Sequence, residues 1–328
     1  MMERREFITL IGGAAAWPIA ASGQQSNRVK RVGVLVGALA ADDPEWQSRG
    51  TTFVQGLQEL GWSEGRNVRV EYRWGLNDQE RARKFAAELA AFNPDVLLAA
   101  GTSAIEPLRG AMPNLPIIFA NVLDPVANGF VQNLARPGGN ITGFMNIEFG
   151  VSAKSLELLK ELAPQVRRVA VLRVSTFGIG PMGAIQAVAP SLGVELTPVF
   201  ARDVGEIERA IMNFARGSSD GLIVTGGGIT RAQRTPIITL AARYRLPAIY
   251  SFRRFVVEGG LVSFGADQAE PYRLAAGYVD RVLKGEKPGE LPVQAPTRLE
   301  TVLNLKTAKA LGFEVPPTLL ARADEVIE

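Results

Sequence analysis

The sequence predicts an α/β protein made of two similar doubly wound, Rossmann-like lobes with parallel sheets, and three observations lead there. Short β-rich runs alternate with amphipathic helical stretches along most of the chain. Several of those runs are apolar without interruption, the pattern of strands buried on both faces of a parallel sheet. Four segments of the first half also reappear in the second, in the same order.

The first element belongs to neither lobe. Arg4-Arg5-Glu6-Phe7 opens a short apolar run that ends at Trp17, and small residues follow at Ala21-Ser22-Gly23. Charge, apolar stretch and small-residue exit come in the order of an export signal, spanning residues 1–23; the apolar run is too short to stay in a bilayer as a helix. The arginine pair points to the twin-arginine route for folded proteins, although Glu3 precedes it and no lysine follows. The competing reading is a buried N-terminal helix. Export predicts a periplasmic mature protein.

The first lobe then builds up in sequence. Residues 32–36 form a strand, and 51–60 form a helix with Phe53, Val54, Leu57 and Leu60 on one face, stopped by Gly61. Residues 68–72 form the next strand, 79–92 a helix ended by Asn93-Pro94, and 96–100 an uninterrupted apolar strand. Gly101-Thr102-Ser103 opens a helix over 104–112; the same residues suit an anion at a helix start or a simple side-chain cap. Asp124 with Pro125 behind it fits an N-cap followed by proline at the first helical position, and the aspartate suits a ligand ammonium as well.

The second lobe is read from the repeat. Arg31-Val32-Gly33-Val34-Leu35 is echoed by Arg168-Val169-Ala170-Val171-Leu172, and Asp95-Val96-Leu97-Leu98 by Asp220-Gly221-Leu222-Ile223. Leu115-Pro116-Ile117-Ile118-Phe119 is echoed by Leu246-Pro247-Ala248-Ile249-Tyr250, and Gly138-Gly139-Asn140-Ile141-Thr142 by Gly259-Gly260-Leu261-Val262-Ser263. Gly178-Ile179-Gly180-Pro181-Met182-Gly183 spells a dinucleotide fingerprint, but it starts too far beyond its strand and the nearest acid, Glu195, is misplaced. Gly226-Gly227-Gly228 lacks the lysine of a phosphate loop. No cofactor is expected.

In open α/β sheets ligands sit outside the carboxyl ends of the strands, so two facing lobes line one cleft that a hinge can close. Candidate ligand-binding residues are therefore Gly37, Gly101, Thr102, Ser103, Asn121 and Asp124, then Asn146, and finally Thr176, Thr225, Gly226, Tyr250, Phe264 and Asp267. Tyr250 and Phe264 suit stacking on a flat or apolar ligand group, with core packing as the alternative. The 328-residue chain contains neither histidine nor cysteine. That removes the usual general base, the serine triad, thiolate chemistry and the commonest metal ligands. Its net charge of +3 is spread over interleaved acids and bases, which gives no focused patch for nucleic acid.

At Asp124-Pro125-Val126 and then Leu134-Ala135-Arg136-Pro137-Gly138-Gly139-Asn140-Ile141-Thr142-Gly143 the chain resembles a specific family. It is similar to ABC-transporter substrate-binding proteins of the tryptophan-transporter type, which have the type 1 periplasmic-binding fold. The likeness continues at Leu156-Glu157-Leu158-Leu159-Lys160-Glu161-Leu162, Ala241-Ala242-Arg243-Tyr244-Arg245-Leu246-Pro247 and Asn304-Leu305-Lys306-Thr307-Ala308-Lys309. The resemblance implies a three-crossover hinge near residues 143–147, 264–268 and 292–296. It implies a first lobe of residues 28–143 plus 266–292 and a second of 144–265 plus 293–328, with helix 268–284 returning to the first. Gly101, Thr102 and Ser103 match the family's first-lobe ligand loop and Asp124 its aspartate-proline turn. Three second-lobe strand ends depart from the family: Leu172-Arg173-Val174-Ser175-Thr176, Gly226-Gly227-Gly228 and Ser263-Phe264-Gly265. The ligand is therefore not carried over from relatives.

The expected function is the periplasmic solute-binding component of an ABC importer, monomeric and not an enzyme. It would close over a small, amino-acid-like ligand and dock on a membrane permease. The alternative is an exported hydrolase or lyase using carboxylates such as Asp124 and Asp267 in the same cleft.

Overall fold

The computed structural model describes residues 28–146, 149–173, 179–226 and 228–328. The export signal, residue Thr176 and the first glycine of the Gly178 motif lie outside them. The first lobe contains β1 (Lys30–Val36), α1 (Pro44–Glu59), β2 (Val68–Trp74), α2 (Gln79–Ala91) and β3 (Val96–Ala100). A 3-10 turn (Thr102–Ala104), α3 (Ile105–Ala111), β4 (Ile117–Val122) and β5 (Ile141–Met145) complete its sheet. The second lobe runs α4 (Phe149–Leu162), β6 (Arg168–Arg173), α5 (Ile179–Val188), β7 (Glu195–Phe200), α6 (Val204–Phe214) and β8 (Asp220–Val224). It continues with α7 (Gly228–Ala232), α8 (Arg234–Arg243), β9 (Ala248–Tyr250), α9 (Arg253–Val257) and β10 (Val262–Ala266). Then come α10 (Glu270–Leu283), a 3-10 turn (Pro288–Glu290), β11 (Leu299–Asn304), α11 (Leu305–Leu311), α12 (Pro317–Leu320) and β12 (Glu325–Ile327).

The internal repeat is realised as two sheets with the same winding. The first has strand order β2-β1-β3-β4-β5, and the second contains β7-β6-β8-β9-β10 read from its far edge. Each repeated segment therefore occupies the equivalent place in its sheet, and both sheets change direction between their first and third strands. The second sheet is not wholly parallel as expected: β11 joins β10 antiparallel, and β12 then joins β11 parallel. That reversal follows from β11 entering from the other lobe, where no crossover helix sets its direction.

Both sheets are covered on both faces, which explains their unbroken apolar strands. In β1 successive side chains alternate: Val32, Val34 and Val36 join Phe53 of α1 and Val279 of α10, while Leu35 joins Ala86 and Leu89 of α2. Leu35, Leu97 and Leu98 are fully buried, each worth about 1.5–3 kcal/mol in apolar transfer. In the second lobe α4 and α5 cover one face, and α6, α8 and α9 the other.

α10 packs on α1 and on β3 to β5, although it follows the second sheet in sequence. The chain thus passes between the lobes after β5, after β10 and before β11. These passages are tied by hydrogen bonds. Asn121 Nδ2 donates to the Gln268 carbonyl at 2.8 Å, and Thr142 Oγ1 donates to the Leu291 carbonyl at 2.6 Å. The Gln294 N–H donates to the Gly143 carbonyl at 3.0 Å.

Two local expectations differ from the structure. α1 begins at Pro44, about two turns before residue 51, because Asp43 caps it: its Oδ1 accepts the Glu45 N–H at 2.8 Å with Pro44 behind it. The same pair at Asp124-Pro125 starts no helix. Asp124 sits at φ +43° and its Oδ1 accepts the Ala127 N–H at 3.0 Å, capping a turn that Asn128 closes by donating to the Leu123 and Asp124 carbonyls.

Candidate functional site

The carboxyl ends of β3 and β4 in one lobe and of β8, β9 and β10 in the other face a shared cleft of about 410 Å³. This is the place that the switch in strand order marks in each sheet. Seven of the residues proposed from sequence line it: Gly101, Thr102, Ser103, Asn121, Asn146, Gly226 and Phe264.

Their chemistry is more specific than their position. Gly101 leaves β3 at φ +98°, a conformation that favours glycine, and starts the turn that leads into α3. Neither Thr102 nor Ser103 caps that helix. Thr102 Oγ1 accepts the Leu123 N–H at 3.3 Å, tying the β3 and β4 loops together, and Ser103 Oγ donates to Asn77 Oδ1 at 3.4 Å. Asn121, also at positive φ, spends its amide on the Gln268 carbonyl, while its Oδ1 is buried without a donor. Asn146 Oδ1 is buried and unpartnered as well. Two carbonyl oxygens with unused acceptor capacity therefore stand at one cleft. Phe264 lines the cleft and also packs on the second-lobe core.

Other proposed residues stand elsewhere. Gly37 lies behind Ser103, where any Cβ would collide with the serine hydroxyl. Thr225 directs both its N–H and its hydroxyl to the Leu172 carbonyl, at 2.9 and 3.0 Å, and so tethers β8 to β6. Tyr250 is 1% exposed and stacks on Phe255 at 4.7 Å; burial pushes its phenol pKa far up, and it belongs to the core. Asp124 caps its turn outside the cleft lining. Asp267 faces a separate recess of about 190 Å³, where its Oδ1 accepts the Ala269 N–H at 2.8 Å. Asp124 and Asp267 are therefore not brought together in the cleft.

The strongest charges at the site were not found from the sequence. Arg231 of α7 lines the cleft with its side chain 20% exposed and its guanidinium over the Phe252 ring at 4.6 Å. Its Nη1 donates to Glu45 Oε2 on α1, across the lobes, at 3.3 Å. The same Glu45 oxygen accepts Arg49 Nη2 at 2.8 Å, from one turn along α1. Burial, and then the nearby Arg49 charge, push the Arg231 pKa down to about 10, with Glu45 pulling the other way. It remains a cation at neutral pH. Beside it, Arg234 lines the cleft but is held by both oxygens of Glu258, at 3.0 and 3.1 Å, and donates to the Arg231 carbonyl at 2.9 Å. Asp43, Ser152, Ser155, Ser251 and Phe252 complete the polar and aromatic lining. A usable signal existed for one of these: Asp43-Pro44 carries the capping pattern that was read only at Asp124-Pro125.

The arrangement is a polar and aromatic enclosure between two lobes; among the described residues that line it, no serine or threonine hydroxyl is hydrogen-bonded to a carboxylate or lysine. Among the described residues no group of three or more His, Cys, Asp or Glu is placed to bind a metal, and no helix is long and apolar enough to cross a membrane.

Known proteins converge on the same architecture. A tyrosine-binding protein of Clostridioides difficile is 24% identical over 295 residues, covering 88% of this chain and 83% of that protein. The ABC domain from Streptococcus pneumonia in complex with L-Trp is 25% identical with a TM-score of 0.80, covering 92% of this chain and all (100%) of the other. A conserved domain protein from Vibrio cholerae is also 25% identical, with a TM-score of 0.79 over 91% of this chain and 100% of that one. These structures share the two-lobed fold of the type 1 periplasmic binding proteins. The family model for ABC transporter substrate binding proteins matches residues 40–327. With two equally wound sheets facing one cleft and a family match over nearly its full length, the chain belongs to the ABC transporter substrate binding protein family.

Proposed function

We propose that this protein is the extracytoplasmic receptor of an ABC importer, closing its lobes over one small amino-acid-class ligand and handing it to a membrane permease. The observation that carries the reading is the cleft. It is enclosed between the carboxyl edges of two sheets of the same winding, is lined from both lobes, and holds buried oxygens of Asn121 and Asn146 that lack donors. A volume of about 410 Å³ suits a single amino acid or a solute of similar size. The amino-acid class draws support from the relatives, one a tyrosine-binding protein and another in complex with L-Trp. The Arg4-Arg5 leader supports export, with the periplasm as the destination. The receptor acts as a monomer.

Native mass spectrometry of freshly purified protein, followed by thermal denaturation against the common amino acids, tests the assignment. A ligand present at 100 times its Kd adds about 2.7 kcal/mol of stability. Failure of every amino acid to shift the melting point, with no small molecule co-purifying, sinks it. Recovery of a chemically altered ligand would point to catalysis instead. Export is tested by replacing Arg4 and Arg5 with lysine and following the protein between cell fractions; retention in the cytoplasm is the expected result.

A further inference from the structure

Glu45, Arg49 and Arg231 form a charge triad between the lobes with an odd count: one carboxylate sits between two guanidiniums, of which Arg231 lines the cleft while Glu45 and Arg49 line the neighbouring recess. All three side chains are largely buried, at 15%, 7% and 20% exposure, so the surplus positive charge is poorly screened. Arg49 is held within its own helix. Arg231 has Glu45 as its only hydrogen-bond acceptor among the described residues, although a guanidinium carries five N–H donors. Its ring partner Phe252 covers one face and supplies no acceptor. The neighbouring Arg234 is already held by both oxygens of Glu258 and by the Arg231 carbonyl. A desolvated cation with spare donors at a ligand cleft calls for an anionic acceptor.

We infer that Arg231 anchors a carboxylate of the ligand, and that Glu45, from the opposite lobe, is the positioning residue that holds Arg231 for it when the lobes are closed. The inference rests on the reading of the cleft as a ligand site and narrows it: ligands lacking an acid group are rejected. The orphan oxygens of Asn121 and Asn146 then serve the ligand's own N–H donors. Because the Glu45–Arg231 pair spans the lobes, it lengthens the bound state and contributes little to first encounter.

The test uses the whole mature protein and four probes: L-tryptophan, L-tyrosine, and the matching amines tryptamine and tyramine, which lack only the carboxylate. Calorimetric titration should show at least one acid binding and its amine about a hundredfold weaker or not at all. Arg231→Gln should lose about a hundredfold in affinity, while Arg231→Lys, which keeps the charge and guards against a folding defect, should lose less. Glu45→Gln should raise the off-rate about tenfold with little change in on-rate, and Glu45→Asp should recover part of that. An amine that binds as tightly as its acid, or an Arg231→Gln protein of unchanged affinity, overturns the anchor and leaves the cleft reading intact. A Glu45→Gln effect on melting temperature without any change in off-rate overturns the positioning role. Where neither acid binds, the co-purified ligand decides: a carboxylate supports the anchor, a neutral or cationic solute overturns it. A protein that binds nothing overturns both the anchor and the proposed function.

Discussion

Gly56 lies inside α1, where replacing glycine by alanine ordinarily stabilises a helix by about 1 kcal/mol. Here the surroundings reverse the sign. A Cβ on Gly56 would stand 2.9 Å from the Ala276 methyl of α10 and 3.2 Å from the Arg273 carbonyl oxygen. Neither is the end of a flexible side chain, so the two helices must separate by a few tenths of an ångström. They form the layer over the first sheet in which Phe53, Leu57, Ala276 and Val279 are fully or almost fully buried, and overpacking in such a layer costs about 1–3 kcal/mol. With backbone-fixed partners on both contacts, the upper part of that range applies. Gly56→Ala is expected to lose about 1–2 kcal/mol net, or roughly 2–4 °C in melting temperature per kcal/mol for a protein of this size. Gly277→Ala is the internal control: it lies in α10 with nothing near its missing Cβ, and should gain about 0.5–1 kcal/mol. Urea denaturation of both variants beside the wild type reads the two signs directly. A stabilised Gly56→Ala protein would refute the packing argument.

Three further outcomes follow from buried polar groups. Asp220, 2% exposed, accepts N–H groups from Arg216 and Gly217 and pairs with Arg168 at 3.0 Å; Asp220→Ala should cost about 3 kcal/mol in urea denaturation, and a loss under 1 kcal/mol would contradict this account. Thr142→Val leaves the Leu291 carbonyl without its buried donor and should cost about 1–3 kcal/mol, with faster amide exchange around residues 291–294 as the local readout. Burial raises the Glu258 pKa, but hydrogen bonds from Arg234 and Arg254 more than offset it and hold it below the ordinary carboxylate value. A depressed folded pKa means that its stabilising contribution is full above the unfolded value, near pH 4.3, and is lost as pH falls through the folded one. The stability gap between wild type and Glu258→Gln should therefore shrink on acidification below about pH 4; a gap unchanged between pH 7 and pH 3 would show that the ion pairs contribute nothing.

The sequence by itself determined the winding. Strands buried on both faces must be apolar throughout, and a duplicated lobe must repeat them in order, so β1, β3, β4 and β5 could be matched to β6, β8, β9 and β10 before any coordinates. The loop residues at the ends of those strands were legible for the same reason: Gly101, Thr102, Ser103, Asn121 and Gly226 reach the cleft because topology places strand ends there. Tertiary structure decided what pattern cannot carry. Asp43-Pro44 and Asp124-Pro125 read alike, yet the first starts a helix whose Trp46, Phe53 and Leu57 have a core to enter. The second is followed by Asn128 and by Gly129 at φ +68°, and closes into a turn. Tyr250 ends β9 and Phe264 lies within β10, but only Phe264 reaches the cleft, because the Tyr250 ring turns inward onto Phe255. The triad of Glu45, Arg49 and Arg231 could not be read at all. Its partners lie 186 residues apart on different lobes, and no local periodicity records which exposed-looking charges will meet when two lobes close around one cleft.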